Sequence, residues 1–298
     1  MGNRASGRIP VRCDNNRRMV IRIMASRHSA FYSPLLTCIQ FLREEGHTVP
    51  YSVLGPQQRS YALLRDREID IMQSAVSSNW KPREQGIEPL PVHFAQINQR
   101  DGFFIVGRQP EPEFHWKTLE GKTLLADHGL QPLVMLKYAL KHNGVDWSQI
   151  KVMDAGTPDK MEAAFSAGKA DYLHLQGPVT AGEVIASVGA SMPAVAFSSL
   201  CCSSSYLKTE GYRTFLKTYS RAREWVRTAP AEEIAAREAA FFPGVASETL
   251  AATVKRYQGV GCWDGGIEIP RDLYEQALNV FQSVGAIAWR HRYEEVVG

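Results

Sequence analysis

The strongest constraint on this chain is a rhythm that stops and starts again. A strand "MVIRIMA", a loop "SRHSAFYSP", a helix "LLTCIQFLREEG", a strand "TVPYSVLG", a helix "PQQRSYALLRDREI" and a strand "DIMQSAV" follow one another. Alternation of this kind builds a mostly parallel sheet whose ligands sit at the C-terminal ends of the strands. A Pro-rich stretch and two extended segments, "FAQINQRDGFFIVG", then break the pattern. It restarts with strand "TLLAD", a helix over 132–142, strand "IKVMDA", a helix over 158–167 and strand "ADYLHLQG". A second extended run, "AVAFSSLCCSSSYL", leads into a mainly helical C-terminal part. Two such units joined by two extended passages predict two α/β lobes connected twice, with a cleft between them.

The bulk numbers narrow the function. With 298 residues the chain is long enough for two lobes, and 44% hydrophobic with 22% charged residues is ordinary for a globular protein. The net charge of +3 comes from scattered basic residues. A nucleic-acid reader concentrates them on one face, so no nucleic-acid partner is expected. No stretch is long and apolar enough to span a bilayer. The basic start, residues 1–17, reads as a mobile tail without the apolar run of a secretory signal. The chain is therefore expected to be cytoplasmic as encoded, or periplasmic if its natural start lies upstream. Cys13, Cys38, Cys201, Cys202 and Cys262 fit neither a zinc spacing nor a disulfide framework. The adjacent Cys201 and Cys202 are read as small residues packed on a β segment, with redox or metal chemistry as the alternative.

Several segments together carry a family resemblance: "HSAFYSPLL", "LLRDREIDIMQSAVSS", "GKTLLADHG", "AFSAGKADYLHLQGP" and the terminal "YEEVVG". In their order and spacing they resemble the type II solute-binding proteins of ABC importers, over roughly residues 19 to 298. The nearest branch is that for sulfonates, nitrate, taurine and thiamine-pyrimidine precursors. The resemblance implies an α/β, two-lobed type II periplasmic-binding-protein-like fold with a central cleft and two hinge strands, near "GFFIV" and "AVAFS". Lobe one would be residues 18–102 and 200–298, and lobe two 103–199. It also implies reversible capture of a small anionic or heteroaromatic molecule by lobe closure, with an ABC permease as a further partner. A branch of the family is enzymatic and carries a cysteine-rich motif. The matching region here, "SMPAVAFSSL", has no cysteine, which favours the receptor over a cytoplasmic enzyme acting on an aromatic or pyrimidine-like substrate.

With the lobes so arranged, strand-end loops from both face one cleft. Lobe one offers Arg27, His28, Ser29, Phe31 and Tyr32, then Gln73, Ser74 and Trp80. Lobe two offers Asp127, His128 and Gln131, then His174 and Gln176. Aromatic rings give a face to stack on, while amides, hydroxyls and imidazoles orient a ligand by hydrogen bonds. Each has a plainer alternative. Phe31 and Tyr32 either stack on a ligand or pack beneath the helix that follows them. Ser29, Ser74 and Asp127 either bind or cap helices. Gln73 and Gln176, amides at the polar ends of apolar strands, need partners. Arg100 either binds an anion or pairs with Asp101. Three imidazoles, His28, His128 and His174, could hold a metal or run acid–base chemistry, but none has metal-type local spacing. No catalytic elbow, zinc-protease pair or phosphate loop occurs. The expectation is a ligand site with no catalytic residue, no metal and no cofactor.

Overall fold

The computed structural model describes residues 18–55 and 57–298. The expected tail, residues 1–17 with Cys13, lies outside the described residues. Among those described, the chain forms two five-stranded sheets. The first contains β1 (Ile23–Ala25), β2 (Tyr51–Val53), β3 (Ile71–Ser74) and β4 (Val92–Asn98). The second contains β5 (Phe103–Gly107), β6 (Thr123–Leu125), β7 (Lys151–Met153), β8 (Tyr172–Gln176) and β9 (Glu183–Ser187). The last strand, β10 (Ser198–Cys202), returns to the first sheet.

The sheets repeat one plan. The first runs β2-β1-β3-β10-β4 and the second β7-β6-β8-β5-β9. In each, three strands are parallel and the fourth is antiparallel to both its neighbours. That fourth strand, β10 or β5, follows a passage from the other sheet. Each lobe is thus closed by a strand delivered through a crossing. The extended runs in the sequence are these crossings and the strands they feed.

The crossings form one narrow ribbon. Residues 99–102 carry the chain out and residues 188–197 carry it back. Val188 N donates to Phe103 O, Val195 N to Gln99 O and Phe197 N to Asn98 O at 2.9–3.1 Å. Arg100 Nη1 donates to the carbonyls of Gly189 and Met192 at 3.3 and 3.2 Å. Arg100 is therefore a brace between crossings, and no Arg100–Asp101 ion pair exists among the described residues. Asp101 turns inward, its Oδ1 accepting from Phe103 N at 2.6 Å. Burial pushes its carboxyl up to about 8. A Cβ on Gly189 would lie 2.1 Å from the Asp101 carbonyl oxygen, so only glycine lets the passes touch.

Helices cover the sheets as their apolar spacing dictates. α1 (Ser33–Glu44) buries Leu35, Leu36, Ile39 and Leu42, and the chain then turns through Gly46 at φ +89°. α2 (Ser60–Arg65) is shorter than its sequence pattern predicts. The chain leaves it through Arg67, whose φ of +60° is incompatible with helix, and enters β3. α3 (Trp80–Glu84) buries Trp80 against Tyr274 and Phe281, so this ring is core and not cleft. α4 (Leu130–His142) and α5 (Pro158–Ser166) follow β6 and β7. α6 (Glu210–Thr228), α7 (Ala231–Glu238), α8 (Ser247–Val260) and α9 (Arg271–Ser283) form the helical C-terminal part. Strand β9 has no counterpart in the expected elements. It is an edge strand with one exposed and four half-buried residues, so its apolar alternation is weak. Cys201 and Cys202 point to opposite faces of β10 and join separate apolar clusters. Burial pushes both thiols up, the Cys202 thiol to about 12.

The α1–α7 contact carries a buried acid. Glu238 lies between Ser33 Oγ, at 2.8 Å, and Thr37 Oγ1, at 3.3 Å. Ser33 Oγ also faces the Ala30 carbonyl at 2.7 Å. One hydroxyl hydrogen cannot serve both acceptors, so a protonated Glu238 completes the network by donating to Ser33. Burial pushes the carboxyl up to about 8, consistent with that assignment. A raised carboxyl stabilises the fold fully below its unfolded value of about 4.3. That contribution is lost as pH rises toward 8.

Two predictions follow from these contacts. Glu238→Gln should match the parent near pH 5 and exceed it at pH 9 by at least about 1 kcal/mol in denaturant unfolding. An equal pH slope in the two proteins would contradict the assignment. Gly189→Ala should destabilise by roughly 1–3 kcal/mol through overpacking. Gly259→Ala, in α8 with open space around it, should be neutral or gain roughly 0.5–1 kcal/mol. Equal melting temperatures for the two variants would show that the crossings do not depend on their close approach.

Candidate functional site

The loop after β1 and the loop after β6 meet across the lobes. Arg27 from the first makes a two-pronged ion pair with Asp127 from the second, the longer contact being Nη2 to Oδ1 at 3.3 Å. The guanidinium also lies over the Phe103 ring, 5.6 Å from its centroid, at the start of β5. Asp127 Oδ1 accepts from Gly129 N at 2.7 Å, fixing the turn into α4. Burial would push the Asp127 carboxyl up, but the Arg27 bond and charge and the Gly129 N–H outweigh it and hold the group below the ordinary range.

Further bonds extend this seam. Ser29 Oγ donates to Gly177 O at 2.7 Å and accepts from Phe31 N at 3.1 Å, so it caps its own turn and ties the lobes at once. Ser77 Oγ donates to Gln131 Oε1, whose Nε2 donates to Phe197 O at 2.7 Å. Tyr257 of α8 takes Gly177 N at 2.8 Å and donates to Gly102 O at 3.2 Å. A Cβ at Gly102 would enter the Phe31 ring, which fills the corner beside the crossing.

A cavity of about 360 Å³ opens at the mouth of this seam. Arg27, His28 and the Phe241–Phe242 turn wall it from lobe one, and Gln176, Gly177, Asp159 and Glu162 from lobe two. His28 Nδ1 faces Tyr51 OH at 3.1 Å, and Nε2 faces Phe241 O at 2.7 Å. The His28 ring lies 4.6 Å from that of Phe242. Burial lowers the His28 pKa against the effect of the Phe241 carbonyl. Gln176 is 7% exposed and its Oε1 has no partner.

The expected site residues fall into distinct positions. His28 and Gln176 line the cavity, while Ser29, Asp127 and Gln131 join the lobes behind it. Tyr32 is 3% exposed, with its hydroxyl near Gln176, Ser26 and Ser198. Phe31 is core, packed on Phe197 and Tyr257. Gln73 Oε1 accepts from Ser26 N and Oγ at 3.0 and 2.7 Å, so it shapes the Arg27 loop from behind. Ser74 is buried at the end of β3, and its carbonyl accepts from Gln73 Nε2 at 3.1 Å. His128 is exposed and bonds the Ala126 carbonyl at 2.8 Å, away from the cavity lining. His174 is fully buried, stacked on Phe103 at 4.5 Å, with both ring nitrogens unpartnered. Burial pushes its pKa down to about 3. Arg100 serves the crossings. The three imidazoles do not converge, and no group of three His, Cys, Asp or Glu side chains that could hold a metal occurs among the described residues.

Sequence reasoning passed over the Phe241–Phe242 wall, Asp159, Glu162, Ser77 and Tyr257. Two adjacent phenylalanines followed by Pro243-Gly244 were a usable signal: large rings beside a turn instead of inside a helix. Glu162 carried none, being one acid on an amphipathic helix.

Comparison with known proteins places the architecture. No protein-family model matches the chain. The Bacillus subtilis (strain 168) protein named "Putative binding protein YtlA" is 25% identical over 251 residues, 80% of this chain and 75% of that one. The zinc-bound ligand-binding component of an ABC-type import system from Staphylococcus aureus superposes with a TM-score of 0.74 at 13% identity, covering 94% of this chain and 97% of that one. The periplasmic aliphatic sulphonate binding protein SsuA from Escherichia coli gives 0.70 at 15%, covering 94% and 98%. The fold is therefore that of the two-lobed type II periplasmic binding proteins, and no helix among the described residues is long and apolar enough to cross a membrane.

The ion pair at the centre of the seam yields a prediction. Removing one partner of a largely buried pair strands the other charge, so Asp127→Asn and Arg27→Gln should each lower stability. The double variant should lose less than the sum, with a coupling of about 0.5–3 kcal/mol in a denaturation cycle. Strict additivity would show that the pair does not join the lobes.

Proposed function

We propose that this chain is a small-molecule solute-binding protein of an ABC-type uptake system, capturing a small organic ligand between its lobes. The observation that carries the reading is the cavity at the seam, walled by loops of both lobes beside cross-lobe bonds that closure can make and break. A ligand there contacts both lobes only when they are together, so its binding free energy shifts the balance toward the closed state. The relatives point the same way: one is named as a binding protein, one as a ligand-binding component of an ABC-type import system and one as a periplasmic aliphatic sulphonate binding protein. An ABC permease is the partner this role requires.

An enzyme on the same scaffold is the second reading, and His174 is the residue that raises it. A buried imidazole without partners, near Asp127 and Arg27, has the surroundings of a catalytic group. Its stacking on Phe103 and its absence from the cavity lining favour a packing role.

Calorimetric titration of the purified chain against small sulfonates, aromatic carboxylates and nitrogen heterocycles, with a turnover assay alongside, tests the reading. Phe242→Ala in lobe one and Gln176→Ala in lobe two should weaken the same ligand. Loss of a ring contact or a neutral hydrogen bond is worth about 0.5–1.5 kcal/mol, so each should cost roughly three- to tenfold in affinity. Chemical conversion of a bound compound, abolished by His174→Ala while binding persists, would replace the receptor with an enzyme.

A further inference from the structure

His174 lies at the seam, and its surroundings tie a proton to the contact between the lobes. It follows Leu173, which pairs with Leu125 of β6, so it stands beside the loop that carries Asp127. The side chain is fully buried, and neither ring nitrogen has a partner among the described residues. A neutral imidazole so placed lacks two hydrogen bonds that water would supply. The ring stacks on Phe103 at 4.5 Å, and the Arg27 guanidinium lies over the same Phe103, 5.6 Å from its centroid. Two groups able to carry positive charge thus share one aromatic ring and one carboxylate, that of Asp127.

With the lobes joined, Arg27 holds that carboxylate and the imidazole is neutral. Burial is the main cause, Asp127 opposes it, and the charges of Arg27 and His128 add to it. The other ionisable groups near this cluster carry no charge at neutral pH. Asp101, two residues before Phe103, is held up to about 8 by burial, and burial likewise raises the Tyr32 hydroxyl. Arg27 belongs to lobe one, whereas Asp127, His128 and His174 belong to lobe two. When the lobes part, Arg27 leaves with its loop, Asp127 loses its partner and water reaches the ring.

We propose that His174 is a proton switch on lobe closure: parting the lobes passes Asp127 from Arg27 to a protonated His174, so acid favours the open state. The inference rests on the lobe movement of the receptor reading above and needs no ligand. In the open state the imidazole returns to its ordinary value of about 6.5, or above it beside the unpaired Asp127. Closure therefore keeps its full strength above about 6.5 and weakens as pH falls below, by up to about tenfold per unit.

Amide exchange of the ligand-free full chain reads this balance directly. The Gly177 N–H, bonded to the Tyr257 hydroxyl across the lobes at 2.8 Å, exchanges when they part. Its protection, corrected for the intrinsic pH dependence of exchange, should fall about thirtyfold from pH 7.5 to pH 5. Amides of β6, internal to lobe two, should keep theirs. In His174→Gln, and in His174→Phe with its ring stack retained, the fall should shrink to less than about threefold. His128→Gln, at an exposed position, should behave as the parent. Melting curves identify a variant that fails to fold, and the two replacements of His174 guard against losing one. An equal fall in the His174 variants, or no fall in the parent, overturns the proposal. A fall centred below about 4 assigns the proton to Asp127 itself and also overturns it. Each of these results leaves the receptor reading to the calorimetric titration. A chain that binds none of the titrated compounds yet keeps its His174-dependent fall loses that reading and retains the switch.

Discussion

Everything else in the molecule depends on how closely its two crossings approach. Residues 99–102 and 188–197 are hydrogen-bonded into one ribbon, and Gly189 lets the Asp101 carbonyl come where a Cβ would stand. Two strands bound in this way resist shear but can bend, which in the proposed receptor would confine lobe motion to a hinge. Held side by side by this ribbon, the lobes bring particular loops together. They are the C-terminal ends of β1 and β3 on one side and of β6 and β8 on the other. Those are the ends at which parallel α/β sheets place ligands, because helix N-termini and polar loops collect there.

The seam between the lobes is polar by construction. Arg27–Asp127, Ser29–Gly177 and Ser77–Gln131 are each cheap to break when water can replace them, since hydrogen bonds exchanged with solvent contribute little net energy. An apolar seam would close once and stay closed. In the proposed receptor a polar one would leave closure near balance, so that a ligand contributing a few kcal/mol could decide it. The cavity at its mouth adds what the seam lacks, ring surface from Phe241, Phe242 and His28. In the proposed receptor, apolar contact there would supply affinity and the polar groups around it orientation.

Much of this was legible in the sequence, for reasons that can be named. The interrupted β-α rhythm announced two sheets because period and punctuation are local properties. Loop residues such as His28, Ser29, Asp127, Gln131 and Gln176 stood out because polar groups at strand ends need partners. What each partner would be was not legible. Asp127 looked equally like a cap and a ligand contact, and it bonds both Gly129 and a guanidinium 100 residues away. Arg100 and Asp101 look like an ion pair when read side by side, yet one bonds the carbonyls of the return crossing and the other is buried against Phe103 N. The Phe241–Phe242 wall follows α7, which Glu238 ties to α1 by a contact between positions some 200 residues apart.

Capture by two lobes at once is the central claim, and amide hydrogen exchange with and without a saturating concentration of the compound that binds in the calorimetric titration tests it most directly. The account predicts slowed exchange in three separated segments together: Arg27–Phe31, Gln176–Thr180 and Phe241–Val245. The crossings should change little, because they bend without opening. Protection confined to the segments of one lobe, with the other unaffected, would contradict it.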